Sequence, residues 1–272
     1  TQLEMKNNKF FNKANGVSLW IIPQSLSNVT PHLREFLSPD EIERANRYSF
    51  YRDHTRFLNR RGIARLILGN YLEIHPRNIK FEYTKLGKPY IKDRSPIKFS
   101  LSSSGEYACL AVSSVNVGVD IEKITPFENL DEISKRIIPQ SIFLDIKDSH
   151  ERLNIFYKCW TRMEAVLKAK GTGFFHNRRD WAGDYIQDGN DLPELRTWKI
   201  LDVPSPINYA VAICLACNWD NINLRYWEPR SCGVDISSVE QFMSSYTPFE
   251  EEIISDRNFH NEIVQLDMMY QC

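Results

Sequence analysis

An α+β fold built from two similar halves is the architecture this 272-residue sequence predicts. Three observations point there. Strand-like and helix-like stretches run strand, two helices, strands, then strand, two or three helices, strands, with the pattern turning over near residue 116. A hydrophobic content of 42% and a charged content of 25% belong to a globular chain long enough to bury a core. The longest apolar run, 209–217, is too short to span a bilayer. The expected arrangement is two halves related by a pseudo-two-fold, each a small sheet packed with helices. The expected division is 1–115, 116–228 and an acidic tail at 229–272.

The elements follow in order. Val17–Pro23 is β-branched and aromatic and ends in proline, the composition of a strand. Ser38-Pro39-Asp40-Glu41 combines a serine cap, proline at the first helical position and glutamate three residues after the serine. A short helix is expected from there to about Tyr48. A longer helix is expected over 54–73, where 57, 64, 67, 68, 71 and 72 form one apolar stripe and the arginines fall elsewhere. Residues 79–84 read as a strand, 99–114 as a hairpin turning at Ser103-Ser104-Gly105, and 117–124 as another strand. Asn129 with Glu132 predicts the cap of a short helix. A second long helix is expected over 151–170, with Leu153, Phe156, Trp160, Met163 and Leu167 as its buried stripe. Strands at about 195–202, 209–217 and 223–228 complete the folded part. In the tail, Thr247-Pro248-Phe249-Glu250 repeats the cap signal and predicts one or two further helices.

Net charge is −1, but the charge is segregated. Seven arginines (44, 47, 52, 56, 60, 61, 65) face a single aspartate between 44 and 65, and eight carboxylates face two arginines beyond 229. The arginine cluster is a candidate anion site or a solvated helix face; the acidic balance elsewhere argues against a general nucleic-acid binder. Of six cysteines, only Cys214 and Cys217 resemble a pair motif. Three apart in a strand-like run, they point to opposite faces, and no second pair exists, so reduced thiols are expected rather than a metal knuckle. The histidines show no spacing for a metal site or a nucleophilic triad, and no Walker-type loop is present. Residues 1–16 are polar, without the apolar stretch of a secretory signal, which predicts a cytoplasmic protein.

Asp120 and Glu122 alternate on one face of their strand, with Ile121 turned into the core. Gly118 lies on the same face and leaves room for a ligand to approach the backbone. On the second long helix, Trp160, Glu164 and Lys168 are spaced four apart, at the border of the apolar stripe. Each pattern alone is an everyday solvated one. Three carboxylates about 4 Å apart, however, would each repel by roughly 4 kcal/mol at an effective dielectric near 20. A magnesium ion removes that cost and keeps positions open for water and phosphate. Lys168 and the upstream arginines then suit a phosphate-rich substrate.

Val117-Gly118-Val119-Asp120-Ile121-Glu122-Lys123 and, about 40 residues on, Trp160-Thr161-Arg162-Met163-Glu164-Ala165-Val166-Leu167-Lys168-Ala169 resemble the two signature motifs of 4'-phosphopantetheinyl transferases. The long two-half layout resembles the surfactin-synthetase-activating type. Residues 99–105 (FSLSSSG) look like that type's hairpin motif, and Gly87-Lys88-Pro89 like its turn; the likeness covers about 17–228. The resemblance implies an active site at the interface of the halves. The first half would grip the nucleotide of coenzyme A, and the second would carry the metal site and dock the carrier. It implies that Asp120, Glu122 and Glu164 hold magnesium against the coenzyme A diphosphate. Lys168 would contact that diphosphate and protonate or stabilise the departing 3',5'-ADP, and Glu164 would be the base for the serine of an apo acyl or peptidyl carrier protein. Arg44, Arg56, Lys88, Ser102 and Ser103 fall where the family grips the nucleotide.

Three positions depart from the family pattern. Ser103 replaces a frequent histidine, Met163 a frequent lysine and Ile142 an acidic residue of some members. They motivate an alternative, a catalytically weakened coenzyme A and carrier-protein binding module of the same fold. Carrier docking is expected at Ile137, Ile138 and Phe143 around Pro139. Two internally related halves predict a monomer.

Overall fold

The computed structural model describes residues 17–26, 30–92, 95–138, 143–144, 150–171, 198–216, 221–226 and 249–255. The described part is α+β, as the order of elements predicts. It divides into two compact units: 1–79 with 112–114 and 219–272, and 80–111 with 115–218. Among the described residues no helix is long and apolar enough to cross a membrane.

In the first unit, β1 (Val17–Pro23) is buried from Val17 through Ile22. Helices α1 (Thr30–Arg34), α2 (Pro39–Asn46) and α3 (Tyr51–Leu72) follow, then a 3₁₀ turn at Pro76–Asn78. Helix α2 starts where the cap signal places it, and the Glu41 carboxylate accepts a hydrogen bond from the Ser38 amide at 3.1 Å. On α3, Phe57, Ala64, Ile67, Leu68 and Tyr71 are buried as the stripe predicts. Two of its arginines are buried as well. Arg61 Nε lies 2.9 Å from Glu41 Oε1 and Arg65 Nε 2.6 Å from Glu41 Oε2. Arg65 also donates to the carbonyls of Pro76 and Ile79 at 3.0 and 2.9 Å. A carboxylate held in the core by two guanidiniums fixes α2 on α3 and removes these two arginines from the anion cluster.

The later strands β9 (Asn221–Tyr226) and β10 (Phe249–Ser255) also belong to this unit. β9 runs parallel to β1, with Val17 opposite Ile222 and Ile21 opposite Tyr226, and β10 pairs antiparallel with β9. The tail is therefore a strand at 249–255, where the threonine-proline signal predicted a helix. Backbone pairing to a free strand edge outweighs a local cap signal. The rest of 227–272 lies outside the described residues.

The second unit holds the short hairpin β2 (Phe81–Tyr83) and β3 (Pro89–Ile91), the strand β4 (Lys98–Ser104), its neighbour β5 (Tyr107–Ser113) as far as Ala111, and the antiparallel sheet β6 (Val117–Lys123), β8 (Tyr209–Leu215), β7 (Lys199–Asp202) in that spatial order. Helices α4 (Leu130–Ile137) and α5 (Arg152–Lys170) complete it. Asn129 sits at the start of α4 in the left-handed conformation, φ 63°, and its side chain makes no capping hydrogen bond. Arg162 Nε and Nη2 donate to the two oxygens of Asp202, both at 2.7 Å, tying α5 to β7.

The buried face of α5 differs from the predicted stripe. Its buried residues are Phe156, Cys159, Thr161, Glu164, Ala165, Val166 and Ala169. Of the predicted five, Phe156 alone is fully buried. The face is rotated toward small residues because of Gly118: a Cβ there would come within 1.9 Å of the Ala165 carbonyl oxygen and 2.4 Å of the Ala169 amide. The opening at Gly118 admits the backbone of α5 and not a ligand. Ile138 and Phe143, expected as docking positions, are core residues packed with Phe156 and Cys159. The side chain of Ile137, together with Pro139 and Ile142, lies outside the described residues. Cys109, Cys159 and Cys214 are buried free thiols, and burial pushes Cys159 and Cys214 up to about 12. Cys217, Cys232 and Cys272 are outside the described residues.

Candidate active site

The chemistry-bearing residues of the second unit meet where β4, β6 and α5 come together. Of the four serines on β4, the three at alternate positions 100, 102 and 104 face β6. Ser100 Oγ accepts from the Val119 amide at 3.1 Å, Ser102 Oγ donates to Asp120 Oδ1 at 2.7 Å, and Ser104 Oγ donates to Glu122 Oε2 at 2.7 Å. Ser104 Oγ also accepts from the Lys123 amide at 3.0 Å, so its proton is committed to Glu122. The period-two alternation of both strands produces this ladder: serines at 100, 102 and 104 meet acids at 120 and 122.

Helix α5 closes the other side. Lys168 Nζ lies 2.5 Å from Asp120 Oδ1 and 2.8 Å from Ser102 Oγ. Asp120 is only 2% exposed, so the strand is covered on both faces and not solvated as an isolated Asp-x-Glu pattern would be. Burial pushes the Asp120 carboxyl up, against the opposing pull of Lys168 and Ser102. Glu122 is also pushed up, first by burial and then by the charge of Asp120, with the Ser104 hydrogen bond opposing. In both, burial is the largest cause.

Glu164, 8% exposed, and Lys168 line a cleft of about 310 Å³ together with Leu86, Lys88, Phe99 and Leu167. Lys88 follows Gly87, whose φ of +84° is the left-handed turn that glycine permits. The Lys88 ammonium donates to the carbonyls of Val117 and Ala169, both at 3.3 Å, and burial lowers it to about 8. It can meet an anion with few competing charges.

The structure thus joins Ser102, Asp120 and Lys168 in one network, links Glu122 to the same serine ladder, and puts Glu164, Lys168 and Lys88 on one cleft. Ser103 stands exposed on β4. Arg44 and Arg56 belong to the first unit, where Arg44 lies over the Phe57 ring at 5.5 Å and Arg56 is 3.7 Å from Asp53. Among the described residues, no group of three or more His, Cys, Asp and Glu side chains is drawn together as a metal cage. The donor chemistry nevertheless suits a hard cation: Asp120 Oδ2 is buried with no hydrogen-bond partner, and both strand carboxylates offer oxygen donors. Ser100 was not singled out from sequence, and Ser104 was expected in the turn but ends β4; their period-two match to Asp120 and Glu122 was the available signal.

Residues 27–115 match the family model described as 4'-phosphopantetheinyl transferase, N-terminal, and residues 116–214 match the 4'-phosphopantetheinyl transferase superfamily. The chain is 33% identical over 207 residues to the 4'-phosphopantetheinyl transferase HetI of Nostoc sp., an alignment covering 74% of this chain and 87% of that protein. It is 28% identical over 192 residues to the 4'-phosphopantetheinyl transferase Sfp of Bacillus subtilis, covering 66% and 83%. A further 4'-phosphopantetheinyl transferase of Bacillus subtilis is 29% identical over 219 residues, covering 76% and 90%.

Proposed function

This chain belongs to the 4'-phosphopantetheinyl transferase superfamily, and from that membership we infer a transferase of the surfactin-synthetase-activating type. It moves the 4'-phosphopantetheine group from coenzyme A to a serine of an apo carrier protein and releases 3',5'-ADP. The observation that carries this function to particular residues is the buried Asp120, Ser102 and Lys168 network beside the cleft that Glu164 and Lys88 line.

In this reading Asp120, Glu122 and Glu164 would hold a magnesium ion, which when bound supplies charge neutralisation and Lewis-acid polarisation at the coenzyme A diphosphate. The unpartnered Asp120 Oδ2 supports the assignment. Ser102 and Ser104 keep the two strand carboxylates aimed. Lys88, Ser102 and Ser103 grip the nucleotide and its phosphates. Glu164 accepts the proton of the carrier serine as its oxygen bonds to the phosphorus next to pantetheine. The bond from that phosphorus to the bridging oxygen breaks, and Lys168 steadies the negative charge on departing 3',5'-ADP. The working form is a cytoplasmic monomer that meets its acyl or peptidyl carrier on the second unit.

Ser103 and Met163 favour a second reading, a coenzyme A and carrier binding module with weakened catalysis. Intact mass of several apo carriers after incubation with coenzyme A and magnesium separates the two. The transferase gives carriers heavier by one phosphopantetheine and equimolar 3',5'-ADP. Coenzyme A binding by calorimetry with no product on any carrier would establish the module instead.

A further inference from the structure

Lys168 places a cation of the chain's own beside Asp120. Its ammonium is 2.5 Å from Asp120 Oδ1 and 2.8 Å from Ser102 Oγ, while the carboxylate it touches is almost wholly buried. The Lys168 side chain itself is 30% exposed and lines the cleft with Glu164. One end of its reach is therefore a buried carboxylate, and the other is open space beside Lys88. A lysine stem has the rotatable bonds to travel between them.

We propose that Lys168 is an internal latch: it neutralises Asp120 when the metal is absent, and it leaves Asp120 for the cleft when metal and coenzyme A arrive. The latch rests on the metal reading given above. An ammonium on Asp120 Oδ1 and a divalent ion on Oδ2 repel each other across one carboxylate, so metal alone binds against the latch. The phosphates of coenzyme A give the displaced ammonium a new partner, so coenzyme A and metal each strengthen binding of the other, and by an equal factor. Ser102 changes partner as well, since the hydroxyl that accepts from Lys168 in the latched state is free to meet substrate after release.

The test is calorimetric titration of the full chain with magnesium, with and without coenzyme A, for the wild type and Lys168→Met. Without coenzyme A, the variant is expected to bind magnesium about tenfold more tightly than wild type, a coupling of ordinary allosteric size. The enhancement of magnesium affinity by coenzyme A is expected in wild type and reduced in the variant. The rise in melting temperature on adding magnesium is expected to be larger in the variant, whose Asp120 has no internal cation. Should Lys168→Met not fold, Lys168→Gln serves in the same comparison. Wild-type binding with equal or weaker magnesium affinity in the variants would remove the latch and leave the metal reading standing. No magnesium binding by wild type, with or without coenzyme A, would remove both.

Discussion

Asp120→Asn is expected to lower kcat/KM for carrier modification by about 10³-fold or more, a loss of roughly 4 kcal/mol in transition-state stabilisation. The same substitution should leave the melting temperature nearly unchanged. Asparagine keeps the shape and can still accept from Ser102 Oγ. Burial already pushes the Asp120 carboxyl up, so the fold tolerates a neutral group at this position better than the charged one. Lys168 loses its partner in the variant but is free to turn into the cleft it lines. Activity and stability therefore separate, which is the signature of a residue kept for chemistry. Thermal melts alongside steady-state rates with one apo carrier make the comparison. A fall in both would mark Asp120 as a packing residue.

Glu41→Gln should act in the opposite way, destabilising the first unit by about 3–5 kcal/mol, because it leaves two buried guanidiniums facing a neutral amide. Arg61 and Arg65 are 6% and 1% exposed, and neither has water to turn to. Arg65 keeps its two carbonyl acceptors in the variant. Chemical denaturation of the variant would show the loss as a lower midpoint. A midpoint within experimental error of wild type would mean that the Glu41 pairs contribute nothing net to the fold.

These two residues also show what the sequence made legible. The serine-proline-glutamate signal located the start of α2, and β6 and the hairpin of β4 and β5 followed from alternation and a glycine turn. Glu41 was visible as a cap residue, yet its second role was not. Local patterns say where a helix begins, but not which distant side chains its first turn will meet. Arg61 and Arg65 counted as surface charge for the same reason. The buried face of α5 was misplaced because the contact with Gly118 selects alanines, whose small side chains give a weak hydrophobic signal, while larger residues nearby gave a stronger one. Gly118 was rightly singled out as a place of close approach, and what approaches is a helix backbone. The strand at 249–255 lay beyond local inference, since its pairing partner is β9. At the site, the acids and Lys168 were legible as motifs. The serine ladder was not, because matching two alternations requires knowing that β4 lies beside β6.

In the proposed mechanism the acids of β6 and α5 act with a divalent ion to transfer phosphopantetheine. Single-turnover formation of modified carrier in metal-stripped buffer, followed by addition of magnesium, tests it most directly when run on wild type and Glu164→Gln in parallel. Negligible product is expected from wild type until magnesium is added. At least about 10²-fold less is expected from Glu164→Gln with magnesium present, the range of a lost general base. Full product from metal-stripped wild type, or from a folded Glu164→Gln protein at the wild-type rate, would contradict it.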